Sequence, residues 1–212
     1  VMGENIRYNI KKHQKWDERE RFVVDQRFYD AILASPVIAA VKDMEGLEDC
    51  LSLESIQVVF LLFGDICSIS GLVDNVKDAG KIVMVHADLV SGLASNREII
   101  VDFLHNTTRM DGIISTRPNF ISRARELGLF TILRLFVIDS MALAGVSKLE
   151  NVKPDFLEIL PGVMPKMIYK ITQTTHIPLL AGGLIAEKED VVAALNAGAM
   201  AVSTTDRHVW RM

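Results

Sequence analysis

The stretch that decides the fold is Ile177-Pro-Leu-Leu-Ala-Gly-Gly-Leu-Ile-Ala-Glu-Lys-Glu-Asp-Val-Val-Ala-Ala-Leu-Asn-Ala-Gly-Ala-Met-Ala-Val-Ser-Thr204. It begins with an apolar run, Pro178–Ala181, broken by two glycines. Val191, Val192 and Leu195 then recur at helical spacing until Gly198, and a second apolar run, Ala199–Ser203, follows at once. A change of period from strand to helix and back marks a βαβ unit, whose two strands run parallel.

Working outward, the same pattern recurs upstream. Short apolar runs occupy Val37–Val41, Val58–Phe63, Ile82–Val85, Gly112–Ile114, Thr131–Leu135 and Phe156–Leu160. Several are rich in Val and Ile without polar alternation, as expected of strands buried on both faces of a parallel sheet. Between them lie helical stretches. Ile66, Ile69, Leu72, Val73 and Val76 share one face, with Asp65 as the expected N-cap and Gly80 as the stop. Pro118 suits a first helical turn that Gly128 ends. The helix ends Ala79-Gly80, Leu127-Gly128 and Ala197-Gly198 lie 48 and 70 residues apart. Those spacings are close to two and three units of about 24 residues, the length of a βα unit. Eight such units fill Pro36 to Met212. The expectation is a TIM-type (βα)8 barrel, compact beside the ~250 residues typical of the class; an open doubly wound sheet is the alternative.

Residues 1–35 differ from this barrel domain, residues 36–212. The first thirty carry seven basic and six acidic residues and few apolar ones before Phe22. They read as a polar, helical extension, with Gln26–Ala34 a short helix covering one end of the barrel. A solvated arm and a partner-binding or homo-oligomer arm both remain open.

Composition narrows the class. The chain has 212 residues, 50% hydrophobic and 24% charged, with a net charge of −4 and a mean hydropathy of +0.25. This excludes a disordered chain. Two cysteines, Cys50 and Cys67, make no disulfide framework and have no redox or zinc spacing. The longest apolar run, Val58–Phe63, is far short of the ~20 residues that span a bilayer, and the N-terminus has no signal-like apolar core. A cytoplasmic protein with reduced thiols, making no membrane contact, is expected. The mild acidity opposes bulk attraction to nucleic acid but leaves room for a local basic patch.

In a parallel barrel, function sits at the C-terminal strand ends. There the sequence places Lys42, His86, Asp88, Arg117, Arg134 and Glu158, a polar set suited to a small anionic ligand. Arg134 and Glu158 lie inside apolar runs, so each must be paired or face a ligand. They are each other's obvious structural partner. His86 and Asp88 bracket Ala87 and could form a His–carboxylate pair; no third residue has metal-ligand spacing, so no metal is expected. The strongest local signal is Gly182-Gly183 facing Ser203-Thr204. Glycines let backbone N–H groups approach a phosphate, and a short helix over Thr205–Trp210 would aim its N-terminus at the same place. The plainer reading is that the glycines make tight turns and the hydroxyls cap a helix. Met141, Met164 and Met167 read as core filler. No P-loop, dinucleotide fingerprint or nucleophile elbow is present.

Taken together, the chain resembles the glycerol-3-phosphate-responsive antiterminator family, whose members regulate glycerol uptake and catabolism operons. The likeness is carried by Met84-Val-His-Ala-Asp-Leu89, Gly112-Ile-Ile-Ser-Thr-Arg117, Arg134-Leu-Phe with Asp139-Ser140, Pro154-Asp-Phe-Leu-Glu-Ile-Leu-Pro-Gly162, Ile177 to Ile185, Glu189-Asp190, Ala197 to Thr204, and Trp210. The resemblance implies a TIM-type barrel that binds glycerol 3-phosphate and, so bound, acts on leader mRNA to prevent transcription termination. It implies no catalysis and no cofactor beyond that ligand. Candidate RNA contacts are Arg109, Arg123 and Arg125, or Arg207, Arg211 and Trp210, because arginine clamps phosphate and tryptophan stacks on an unpaired base. An ordinary solvated surface is the alternative for each. The competing function is a barrel enzyme acting on a small phosphorylated substrate, with His86, Asp88 or Glu158 as acid or base. A barrel that binds ligand without RNA is a third reading.

Overall fold

A parallel strand buried on both faces needs an apolar layer on each side, and the chain supplies two. A computed structural model describes residues 26–93 and 96–212. Eight strands close in sequence order into a parallel barrel: β1 Val37–Val41, β2 Val58–Leu61, β3 Ile82–His86, β4 Gly112–Ser115, β5 Phe130–Phe136, β6 Phe156–Leu160, β7 Leu179–Gly182 and β8 Ala201–Thr204. Residues of one parity, including Ile38, Phe60, Met84, Ile132 and Leu180, pack inside the barrel. Their neighbours Ala39, Val59, Val85, Leu133 and Ala181 pack outward against the helices. The open doubly wound alternative is excluded by the pairing of β1 with β8.

The helices follow the expected order. They are α1 Gln26–Ala34, α2 Met44–Leu51, α3 Ile69–Asp78, α4 Ile99–Thr107, α5 Pro118–Glu126, α6 Ser140–Gly145, α7 Pro165–Thr172 and α8 Lys188–Asn196. Gly80, Gly128 and Gly198 end α3, α5 and α8 at φ of +74°, +75° and +110°, a region that costs other residues a Cβ clash. Among the described residues, no helix is long and apolar enough to cross a membrane.

Three local expectations are corrected. Asp65 caps the turn before α3, accepting from the N–H groups of Cys67 and Ser68, so α3 starts at Ile69 and Ile66 is left 45% exposed. Met141 is not core filler: it lies in the first turn of α6 and is 81% exposed. The helix expected over Thr205–Trp210 is only a 3-10 turn at Val209–Arg211, because Asp206 Oδ1 accepts from the N–H groups of His208 and Val209 first.

The N-terminal end of the barrel is closed by α1. Phe28 and Ile32 are buried and continue the interior layer. Phe28 stacks on Phe130 with centroids 4.4 Å apart and lies 5.3 Å from Phe156, which Tyr29 meets at 5.2 Å. Burying each such side chain contributes roughly 1.5–3 kcal/mol. The polar groups at this end are tied off. Asp111 accepts from Lys77 Nζ at 2.7 Å, Val83 N–H at 2.9 Å and Arg27 of α1 at 3.3 Å. Asp155 accepts from the Thr131 N–H and hydroxyl at 2.8 and 2.7 Å. Lys81 donates to the carbonyls of Leu53 and Ile56. The polar extension before Gln26 lies outside the described residues.

Candidate functional site

At the other end of the barrel the inward register ends in polar residues. Following the interior parity upward, β3 ends in His86, β5 carries Arg134, β6 carries Glu158 and β8 carries Ser203. Arg134 and Glu158 are direct register partners on adjacent strands. Arg134 Nε donates to Glu158 Oε2 at 2.7 Å, and Ser203 Oγ donates to Glu158 Oε1 at 2.5 Å. All three side chains are buried. A carboxylate sealed from water needs this much satisfaction, or its burial would be prohibitive.

Gly182 ends β7 beside this bridge. A Cβ there would stand 2.6 Å from both Glu158 Oε1 and Ser203 Oγ. The first glycine therefore leaves space for the buried bridge, a role its sequence context did not reveal. The second, Gly183, has φ +76° and turns the chain; its carbonyl accepts from Gly162 N–H at 3.0 Å. Leu184 follows at φ +63°, left-handed although not glycine, and is 74% exposed. Such a conformation costs of order 1 kcal/mol or more and must be held by its surroundings.

His86 is only 3% exposed, and its Nδ1 has no hydrogen-bond partner among the described residues. Burial first, then the Arg134 charge, push its pKa down to about 4, with Asp88 opposing. The ring is neutral at physiological pH. The expected His86–Asp88 pair does not form. The strand stops at His86, and the chain turns through a 3-10 segment, Ala87–Leu89. That turn sends Asp88 to the next loop, where it accepts from Ser115 Oγ at 2.9 Å, Thr116 N–H at 2.7 Å and Thr116 Oγ1 at 2.9 Å. Arg117 Nε lies 3.5 Å from the same carboxylate, and its guanidinium sits over Phe120 at 5.0 Å. Asp88 therefore ties the β3 and β4 loops together.

Thr204 is likewise engaged. Its hydroxyl donates to Ile185 O at 2.6 Å and accepts from Asp206 N–H, while its carbonyl accepts from Trp210 Nε1 at 2.8 Å. Lys42 stands exposed just past β1, with no ion pair among the described residues. Leu89, Phe136, Ile138, Met141 and Leu184, all at or just past the C-terminal ends of strands, are exposed apolar side chains. Among the described residues, no three His, Cys, Asp or Glu side chains converge as a metal site.

The RNA candidates are scattered. Arg109 lies before β4, at the end of the barrel away from His86, and pairs with Asp78 at 3.0 Å and Asp74 at 3.4 Å. Arg123 on α5 pairs with Asp102 at 2.5 Å and Glu126 at 2.7 Å, and Arg125 donates to Val152 O. Beyond β8, Arg207 pairs with Glu45 and Asp43, and Arg211 with Asp49. Trp210 is 2% exposed with its indole N–H spent on Thr204, so it has no free face on which a base could stack. Sequence reasoning also missed Asp111 and Asp155, whose signal is an aspartate one residue before a strand.

A family profile described as "Glycerol-3-phosphate responsive antiterminator" matches residues 37–210. The Escherichia coli (strain K12) protein YgcP is 44% identical over 179 residues, covering 84% of this chain and 93% of its own. The crystal structure of a glycerol uptake operon antiterminator regulatory protein from Listeria monocytogenes str. 4b F2365 superposes with a TM-score of 0.79 at 40% identity, over 82% of this chain and 94% of that one. A glycerol uptake operon antiterminator-related protein from Thermotoga maritima MSB8 gives 0.73 at 33% identity, over 84% and 99%.

Proposed function

The chain belongs to the glycerol-3-phosphate responsive antiterminator family, and on that footing we propose that it binds glycerol 3-phosphate and, when loaded, acts on leader mRNA as a transcription antiterminator of glycerol metabolism genes. The observation that carries the ligand reading is the buried Arg134–Glu158–Ser203 bridge beside the Gly182-Gly183 turn, at the barrel end where such folds bind small anions. The phosphate lies against the backbone of Gly182, Gly183, Ser203 and Thr204. Because Ser203 and Thr204 already spend their hydroxyl protons within the chain, phosphate capture falls mainly to backbone N–H groups. Arg134, held by Glu158, supplies a fixed positive charge, and Lys42 and Arg117 add charge at the rim. Glu158 and His86 face the glycerol hydroxyls.

Regulation requires the ligand to bind the RNA-competent state better than the incompetent one. The strand-end loops are where that difference arises, since they carry both the ligand groups and the exposed apolar side chains. A regulatory reading is favoured over the phosphate-ester enzyme by the state of the acid–base candidates. Glu158 is held by two donors and Asp88 by three, so both are committed to the structure, and His86, the third candidate, has no carboxylate bonded to it to complete an acid–base pair. A screen of small phosphate esters that found turnover, abolished in Glu158→Gln, would reverse that preference.

The test has two arms. Calorimetry of the full chain with glycerol 3-phosphate gives saturable binding; its absence removes the ligand reading. Retention of leader RNA on filters rises with ligand and weakens as salt rises, as phosphate-directed contacts require. Retention indifferent to both removes the antiterminator reading.

A further inference from the structure

The orphaned nitrogen of His86 points to how the site tells its ligand from other phosphates. His86 is 3% exposed, and its Nδ1 has no partner among the described residues. Buried polar atoms are almost always paired, and Asp88, the carboxylate two residues on, is engaged with Ser115 and Thr116 instead. Topology fixes its position relative to the phosphate loops. In a closed barrel of eight strands, β3 lies four steps from β7, on the opposite wall. An eight-stranded barrel is just wide enough for side chains to meet across it.

We propose that His86 is a specificity-determining residue, whose Nδ1 hydrogen-bonds a hydroxyl of a polyol phosphate held by its phosphate group at β7 and β8. This rests on the ligand reading above and adds which wall reads which end of the ligand. A hydroxyl both donates and accepts, so it satisfies Nδ1 in either tautomer; an ionised phosphate oxygen can only accept. Burial, with the Arg134 charge adding to it, keeps the ring neutral and favours that two-way bond over an ion pair.

The test compares glycerol 3-phosphate, n-propyl phosphate and inorganic phosphate by calorimetry on the full chain. Wild type prefers glycerol 3-phosphate to n-propyl phosphate by about tenfold or more, the scale of a buried hydrogen bond. His86→Leu reduces that preference by about tenfold through weaker binding of glycerol 3-phosphate, leaving only what Glu158 contributes. His86→Asn, whose amide stands near the place of Nδ1, restores part of it. Independently of any variant, the ¹⁵N resonance of His86 Nδ1 in wild type shifts on saturation with glycerol 3-phosphate and not with n-propyl phosphate. A preference unchanged in His86→Leu, or an Nδ1 resonance indifferent to glycerol 3-phosphate, overturns the proposal. Wild type that binds none of the three overturns the ligand reading itself.

Discussion

The two ends of the barrel are built on opposite terms. At the N-terminal end, α1 seals the interior with Phe28 and Ile32, and Asp111, Asp155 and Lys81 are each satisfied by several partners. At the C-terminal end the interior closes on charge instead of hydrocarbon, Phe136, Ile138 and Leu184 are exposed, Leu184 is held left-handed, and His86 Nδ1 goes unpaired among the described residues. One end is complete in itself. The other leaves His86 Nδ1 unpaired among the described residues, and it is the end at which the proposed ligand binds.

Breaking each end should therefore give different signatures. The largest effect is expected from Glu158→Leu, which strands the Arg134 charge: stability to urea falls by about 3–5 kcal/mol, and ligand binding is lost with it. Phe156→Ala, below the same strand register, costs about 3–5 kcal/mol through its cavity, yet leaves glycerol 3-phosphate affinity within about twofold. Equal loss of affinity in both variants would erase the distinction between the ends.

A pH series sharpens the comparison next. His86 has a folded pKa of about 4 against an unfolded value of 6.5. The unfolded chain therefore binds the extra proton between those values. Stability contributed by the neutral ring is complete above pH 6.5 and drains away as pH falls toward 4, by up to roughly 3 kcal/mol. The difference between wild type and His86→Asn isolates this slope, and parallel profiles would show that His86 is not the group responsible. The smallest of these changes is Gly182→Ala. Crowding Glu158 and Ser203 costs about 1–3 kcal/mol; because the crowding falls on the phosphate side, affinity drops with little change in the preference for hydroxyl-bearing ligands. A variant that binds as wild type does would place the phosphate elsewhere.

How much of this was legible in sequence depends on range. The barrel was, because both-face burial writes itself into runs such as Phe156–Leu160 and helix stops into Gly80, Gly128 and Gly198. The Arg134–Glu158 pair was visible as two charges inside apolar runs, and their register shows why they meet. Side-chain direction past a strand end was not. Alternation puts His86 and Asp88 on one face only while the strand continues, and it stops at His86. That Gly182 also leaves room for the buried bridge was not legible, because nothing local announces that Glu158 and Ser203 arrive from two other strands to fill the space of its Cβ. Met141 and Trp210 were exchanged for the same reason: helical spacing and a terminal position do not reveal which residue the barrel covers.

The most direct test of the central claim is a crystal structure of the full chain grown with saturating glycerol 3-phosphate. The account predicts phosphate density between Gly183 and Ser203, with the glycerol hydroxyls directed across the barrel toward Arg134, Glu158 and His86. A mouth without ligand under those conditions, or a ligand seated on the α1 side of the barrel, would contradict it.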